Sequence, residues 1–125
     1  MNGLDDLFSI VDPPAQGTNS ASTRVALNAG HAIFNGHFPD RPILPCVVMV
    51  HIATRIISIL TGDPMRIDQA RAIKFLAPVD PRATPELTFR TTLQPSDGGT
   101  RAEVQTLAGE IVVMKLTASV VRDDR

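Results

Sequence analysis

The sequence predicts a single α+β domain in which a curved antiparallel sheet wraps around one long central helix. Three observations predict it. Residues 46–60 are apolar around most of a helical wheel, the pattern of a helix buried on most sides. Residues 66–79, 86–93, 101–107 and 110–122 read as successive strands divided by Pro- and Gly-rich turns. Finally, a chain of 125 residues builds one core and not two, so helix and strands must share it.

Each element has its own local argument. Residues 1–22 contain Pro13-Pro14, Gly17 and a Ser/Thr/Asn-rich stretch around one apolar cluster, Leu4, Leu7, Phe8 and Ile10; they read as a loosely structured lead-in. Thr23-Arg24-Val25-Ala26-Leu27-Asn28 alternates with a period of two, as a half-buried strand does, and stops at Gly30. From His31 the chain carries prolines at 39, 42 and 45, which forbid a continuous helix or an interior strand and predict an ordered loop. Pro45 before the central helix and Thr61-Gly62-Asp63-Pro64 after it are start and stop signals. Within the helix the polar residues His51, Thr54, Arg55 and Ser58 fall three and four apart and so share one narrow stripe. The turns at 78–85, 95–99 and Ala108-Gly109 imply three hairpins in series. In the last strand Val112, Met114, Leu116, Ala118 and Val120 form an apolar face, and Val113 and Val121 imply partial cover on the other.

Composition narrows the function. Hydrophobic residues at 43% and charged residues at 20% are the balance of a folded globular protein. Twelve Lys plus Arg against thirteen Asp plus Glu leave no basic excess for a nucleic acid. With no Trp, no Tyr and five Phe, the chain also lacks platforms for stacking unpaired bases. No apolar run approaches the roughly 20 residues a membrane helix needs. The acidic start Met1-Asn2-Gly3-Leu4-Asp5-Asp6 is unlike a secretory signal, and a single cysteine, Cys46, suits a reducing compartment, so the expected location is the cytoplasm. His31, His37, Cys46 and His51 stand six, nine and five residues apart, which matches no compact zinc pattern, so no metal is expected.

One constellation is more specific. Gly36-His37-Phe38-Pro39-x-x-Pro42-x-x-Pro45 runs straight into the central helix, and Ile73-Lys74-Phe75-Leu76-Ala77-Pro78-Val79-Asp80-Pro81 follows downstream. Together they resemble the hotdog-fold beta-hydroxyacyl-(acyl carrier protein) dehydratases over residues 23–122. The resemblance implies one hotdog domain over 1–125, a thioester of acyl carrier protein or coenzyme A as substrate, no cofactor, and pairing as a homodimer or with a second hotdog subunit. It gives His37 the role of base on the carbon beside the thioester carbonyl. Imidazole, with a reference pKa near 6.5, can take and return a proton at neutral pH; the alternative is a structural loop histidine. The family's second catalytic group is a Glu or Asp fourteen residues on, where this chain has His51.

Neutral imidazole is a weak acid, and the nearby cation Arg55 disfavours the imidazolium. His51 is therefore either a modified acid side together with Arg55 or a helix-face histidine without chemistry. Cys46 replaces a family glycine whose main-chain N–H points at the thioester oxygen. That donor survives the substitution and the helix N-terminus favours developing negative charge. The thiol is either a small filler or reactive. Phe38, Cys46 and Arg55 complete the expected substrate-binding set. Arg41, Arg66, Arg71, Lys74 and Arg82 either face an acidic carrier or form a solvated surface. The expected activity is that of a 3-hydroxyacyl-thioester dehydratase, a hydro-lyase. The alternatives are a non-catalytic subunit paired with an active dehydratase, and an acyl thioesterase.

Overall fold

The computed structural model describes residues 6–34 and 42–124. In chain order these form β1 (Phe8–Ile10), β2 (Ser20–Leu27), one 3-10 turn (Ala32–Phe34), α1 (Cys46–Thr61), β3 (Met65–Phe75), β4 (Glu86–Ser96), β5 (Gly99–Ala108) and β6 (Ile111–Arg122). The strands make a single antiparallel sheet in the order β1-β2-β4-β5-β6-β3. Alternation along the strands separates two faces. Leu87, Phe89, Thr91 and Leu93 of β4 are buried with Val104 of β5 and Met114, Leu116 and Val120 of β6. Val48, Met49, Ile52, Ile56, Ile57 and Leu60 of α1 belong to the same core cluster. This is the hotdog arrangement of one helix packed in a curved sheet. Each such large apolar side chain, fully buried, contributes about 1.5–3 kcal/mol.

The helix runs one residue beyond its expected end. Pro45 occupies the N-cap without a side-chain cap hydrogen bond, and Gly62 closes the C-terminus in the left-handed region, φ 79°, its N–H donating to Ser58 O at 2.9 Å. A glycine suits that conformation because it has no Cβ to clash.

Two expectations are corrected. Part of the lead-in is built into the sheet: β1 pairs with β2 in the register Phe8↔Leu27 and Ile10↔Val25, β2 begins at Ser20, and Leu7 is fully buried. The small cluster Leu7, Phe8, Ile10 was long enough for a three-residue edge strand, although the Pro- and Gly-rich segment behind it masked the signal. The second correction concerns β3, which ends at Phe75 rather than at 79 and pairs with β6, not with β4. Pro78, Pro81 and Pro85 have no N–H to donate to a ladder, so residues 76–85 form a crossover in place of a hairpin. Asp80 folds its middle, accepting the Thr84 N–H on its carbonyl at 2.7 Å and the Arg82 N–H on Oδ1 at 2.9 Å. Its ends are tied down by Leu76 N–H to Val113 O, Leu44 N–H to Val79 O and Leu27 N–H to Pro85 O. The other two turns are tight hairpins, Ser96↔Gly99 and Ala108↔Ile111.

Candidate functional site at the helix

The solvent side of α1 is a line of residues four apart, Val47, His51 and Arg55, which a helix places one above another. Val47 is 72% exposed, His51 half-buried and Arg55 exposed. At the head of the line Cys46 is the first helical residue, with an exposed thiol. Leu44, 1% exposed and bonded through its N–H to Val79 O, anchors the approach to this end. The free N–H groups of a first helical turn form a positive end suited to an oxyanion.

The polar stripe expected along α1 divides in two. Thr54 turns its hydroxyl back onto the Val50 carbonyl at 2.9 Å, and Ser58 Oγ accepts the Met65 N–H at 3.0 Å, joining the helix to the start of β3. These two hydroxyls serve the fold. His51 and Arg55 instead meet one aromatic side chain, Phe8 of β1. The His51 and Phe8 rings are edge-on, 6.2 Å between centroids and 78° between planes. The Arg55 guanidinium carbon lies 5.8 Å from the centroid of the same ring, within cation–π range. His51 Nε2 is shielded from solvent.

Phe8 was not among the site residues expected from the sequence. What places it is the hydrogen bonding of its short strand. Besides the ladder to β2, Asn28 N–H donates to Leu7 O at 2.8 Å, Val11 N–H to Arg24 O at 2.9 Å, and Asn28 Nδ2 to Asp6 O at 2.9 Å. Arg24 also holds Asp12 at 2.6 Å, and this hydrogen bond raises the guanidinium pKa above its ordinary value. The one signal in the sequence was the apolar pair Leu7-Phe8 ahead of a breaker-rich segment.

His37, Phe38 and Arg41 lie outside the described residues. His31 serves its own turn: its Nδ1 accepts the Ile33 N–H at 2.9 Å and its carbonyl the Phe34 N–H at 3.2 Å. Of the other cations singled out, Arg66 faces Asp68 at 3.8 Å, Arg82 faces Asp80 at 3.6 Å, and Arg71 donates to Ser119 Oγ at 3.2 Å. Lys74 stands opposite Lys115 across β3 and β6. No cluster of three or more His, Cys, Asp or Glu poised for a metal occurs among the described residues. None of their helices is long and apolar enough to cross a membrane.

One helix packed in a curved antiparallel sheet defines a hotdog protein. The family model of the ApeI-like proteins, described as ApeI dehydratase, matches residues 14–110, and the chain belongs to this family. No curated protein matches it. Among solved structures it is similar to the dehydratase heterocomplex ApeI:P from Xenorhabdus doucetiae, with a TM-score of 0.68 and 18% identity over 91% of this chain and 97% of that one. Cj0977, a sigma28-regulated virulence protein from Campylobacter jejuni, gives a TM-score of 0.70 and 14% identity over 100% and 89%. The HP0420 homologue from Helicobacter felis gives 0.66 and 13% over 96% and 91%. At these identities the structures show the shared fold.

Proposed function

We propose that this chain acts on 3-hydroxyacyl thioesters of an acyl carrier protein or coenzyme A and removes water to give the 2-enoyl thioester. Membership of the ApeI-like dehydratase family carries the reading. In it His37 takes the proton from the carbon beside the carbonyl. Charge moving onto the thioester oxygen is met by the Cys46 N–H at the amino end of α1, where the helix dipole favours it. The hydroxyl leaves the next carbon with a proton from the acid side, His51 with Arg55, and departs as water while the double bond forms. Phe38 is assigned to substrate binding.

A second reading is favoured by two observations: the expected carboxylate position holds His51, and a similar structure is a dehydratase heterocomplex. Here the chain is a hotdog subunit whose partner supplies the missing acid. Mass spectrometry of the purified protein with 3-hydroxyacyl, 2-enoyl and simple acyl thioesters separates the cases. Loss or gain of water by the chain alone supports the first reading, and no reaction supports the second. Hydrolysis of the simple acyl thioester overturns both in favour of a thioesterase.

A further inference from the structure

We propose that the face of the sheet turned away from α1 is a docking surface for an acidic helix of another protein, laid across the strands over Arg90, Gln105, Lys115 and Lys74. The ladder fixes this row. Arg90 of β4 stands opposite Gln105 of β5, Gln105 opposite Lys115 of β6, and Lys115 opposite Lys74 of β3. Arg90, Lys115 and Lys74 are exposed and Gln105 is half-buried, whereas their chain neighbours Phe89, Val104, Met114 and Leu116 are buried in the core around α1. Alternation along each strand therefore puts the row on the outer face. It lies across the sheet from the helix-borne site, so the proposal does not depend on thioester chemistry.

Two features distinguish the row from an ordinary solvated surface. First, its charges have one sign and no counter-charge. Arg24, Arg66, Arg82, Arg101 and Arg122 each lie 2.6 to 3.8 Å from a carboxylate, whereas none of the described residues bonds the side chain of Arg90, Lys115 or Lys74. Like charges directly opposite each other, as on Lys115 and Lys74, work against a sheet, and an arriving anion relieves them. Second, Arg90, Gln105 and Lys115 line a surface groove of about 420 Å³ together with Thr92 and Thr117. Its carboxylate, Glu103, is held by Arg101 at 3.5 Å. A concave seat fits a rounded helix better than a flat lipid surface.

The spacing points to a helix. Neighbouring strands lie about 4.8 Å apart, so Gln105, Lys115 and Lys74 stand at about 5, 10 and 14 Å from Arg90 along the row. Carboxylates at positions i, i+7 and i+11 share one side of a helix and lie at about 0, 10.5 and 16.5 Å along its axis. Long Lys and Arg side chains absorb the difference, and the Gln105 amide under the intervening turn can meet either a donor or an acceptor. A second copy offers no match, because α1, the one α-helix among the described residues, has no Asp or Glu.

The test uses the purified full chain and two fluorescent Ala- and Gln-based helical peptides of one composition. One carries Glu at i, i+7 and i+11, and the other spreads the same Glu residues around the helix. Fluorescence anisotropy is recorded at about 50 and about 300 mM salt for the native chain, Arg90→Gln, Lys115→Gln, the double variant, and Arg122→Gln, whose arginine faces Asp124 outside the row. Melting curves establish that each variant folds. The aligned peptide is expected to bind the native chain and to bind less well in the higher salt. Each single variant of the row is expected to weaken it about 3-fold and the double variant about 10-fold, with Arg122→Gln near native. Equal binding of the two peptides, or native affinity in the double variant, overturns the proposal. So does the absence of peptide binding up to about 1 mM. If vesicles containing phosphatidylglycerol capture the native chain but not the double variant while the peptide does not bind, the face belongs to a lipid surface and the proposal falls. If a row variant does not fold, Lys74→Gln gives the same comparison.

Discussion

At positions 51 and 55 two side chains one helical turn apart share an aromatic neighbour, and the proposed function takes His51 to stand at the carboxylate position of the resembling dehydratases. A carboxylic acid in a partly apolar site can have a raised pKa and donate near neutrality, whereas neutral imidazole donates poorly. His51→Glu is therefore expected to increase dehydration of 3-hydroxyacyl thioesters, measured as 2-enoyl product from pH 5 to 9. A fast native chain slowed by the substitution would show that histidine is the competent acid here. Removing the proposed base should act differently. His37→Ala is expected to lower turnover by roughly 100-fold or more with a nearly native melting temperature; lost stability with intact turnover would return His37 to a structural role. The positions of His51, Arg55 and Cys46 on the helix were legible from spacing alone, because α-helical periodicity determines which residues share a line. The contact of Phe8 with two of them was not. Its link to His51 spans 43 positions, the difference of the two residue numbers, and no local pattern encodes such a contact.

Among the elements, α1 was the most legible, since Pro45 and Gly62 bound it with opposite backbone requirements and its apolar residues dominate the wheel. The strands were legible as strands but not in their partners. Alternation reports that a face is buried, and it says nothing of which neighbour supplies the ladder. Thus β3 looked like the first arm of a hairpin when it is the edge partner of β6. β1 shows the same limit at smaller size, since three residues of alternation are too few to stand out beside two prolines. Its worth to the fold is measurable. Leu7 is 0% exposed, so Leu7→Ala removes a packed side chain and is expected to cost about 2–5 kcal/mol in chemical denaturation. A loss below about 1 kcal/mol would mean that the amino-terminal strand is only loosely tied to the core.

For the molecule as a whole, the two edges of the sheet are unequal. β1 has three residues, whereas β3 has eleven. From Asp68 to Phe75 the β3 side chains are exposed, Ile73 at 40% and Phe75 at 41%. Irregularities between Ile67 and Gln69 and between Ala70 and Ala72 interrupt its pairing with β6. Bulges of this kind blunt an edge, yet a long edge with apolar side chains is an invitation to another strand. The expectation is a pair of hotdog subunits joined edge to edge, and for the chain alone light scattering should give about 27 kDa, twice the 13.5 kDa of one chain. A stable monomer would overturn this pairing.

The sheet order β1-β2-β4-β5-β6-β3 also separates the order of synthesis from the order of assembly. As the chain leaves the ribosome, β2 has only the short β1 beside it until β4 emerges. β3 has no strand partner within the subunit until residues 111–122 exist. Its long edge is thus made early and secured last, and for that interval both of its sides are open to a neighbouring nascent chain.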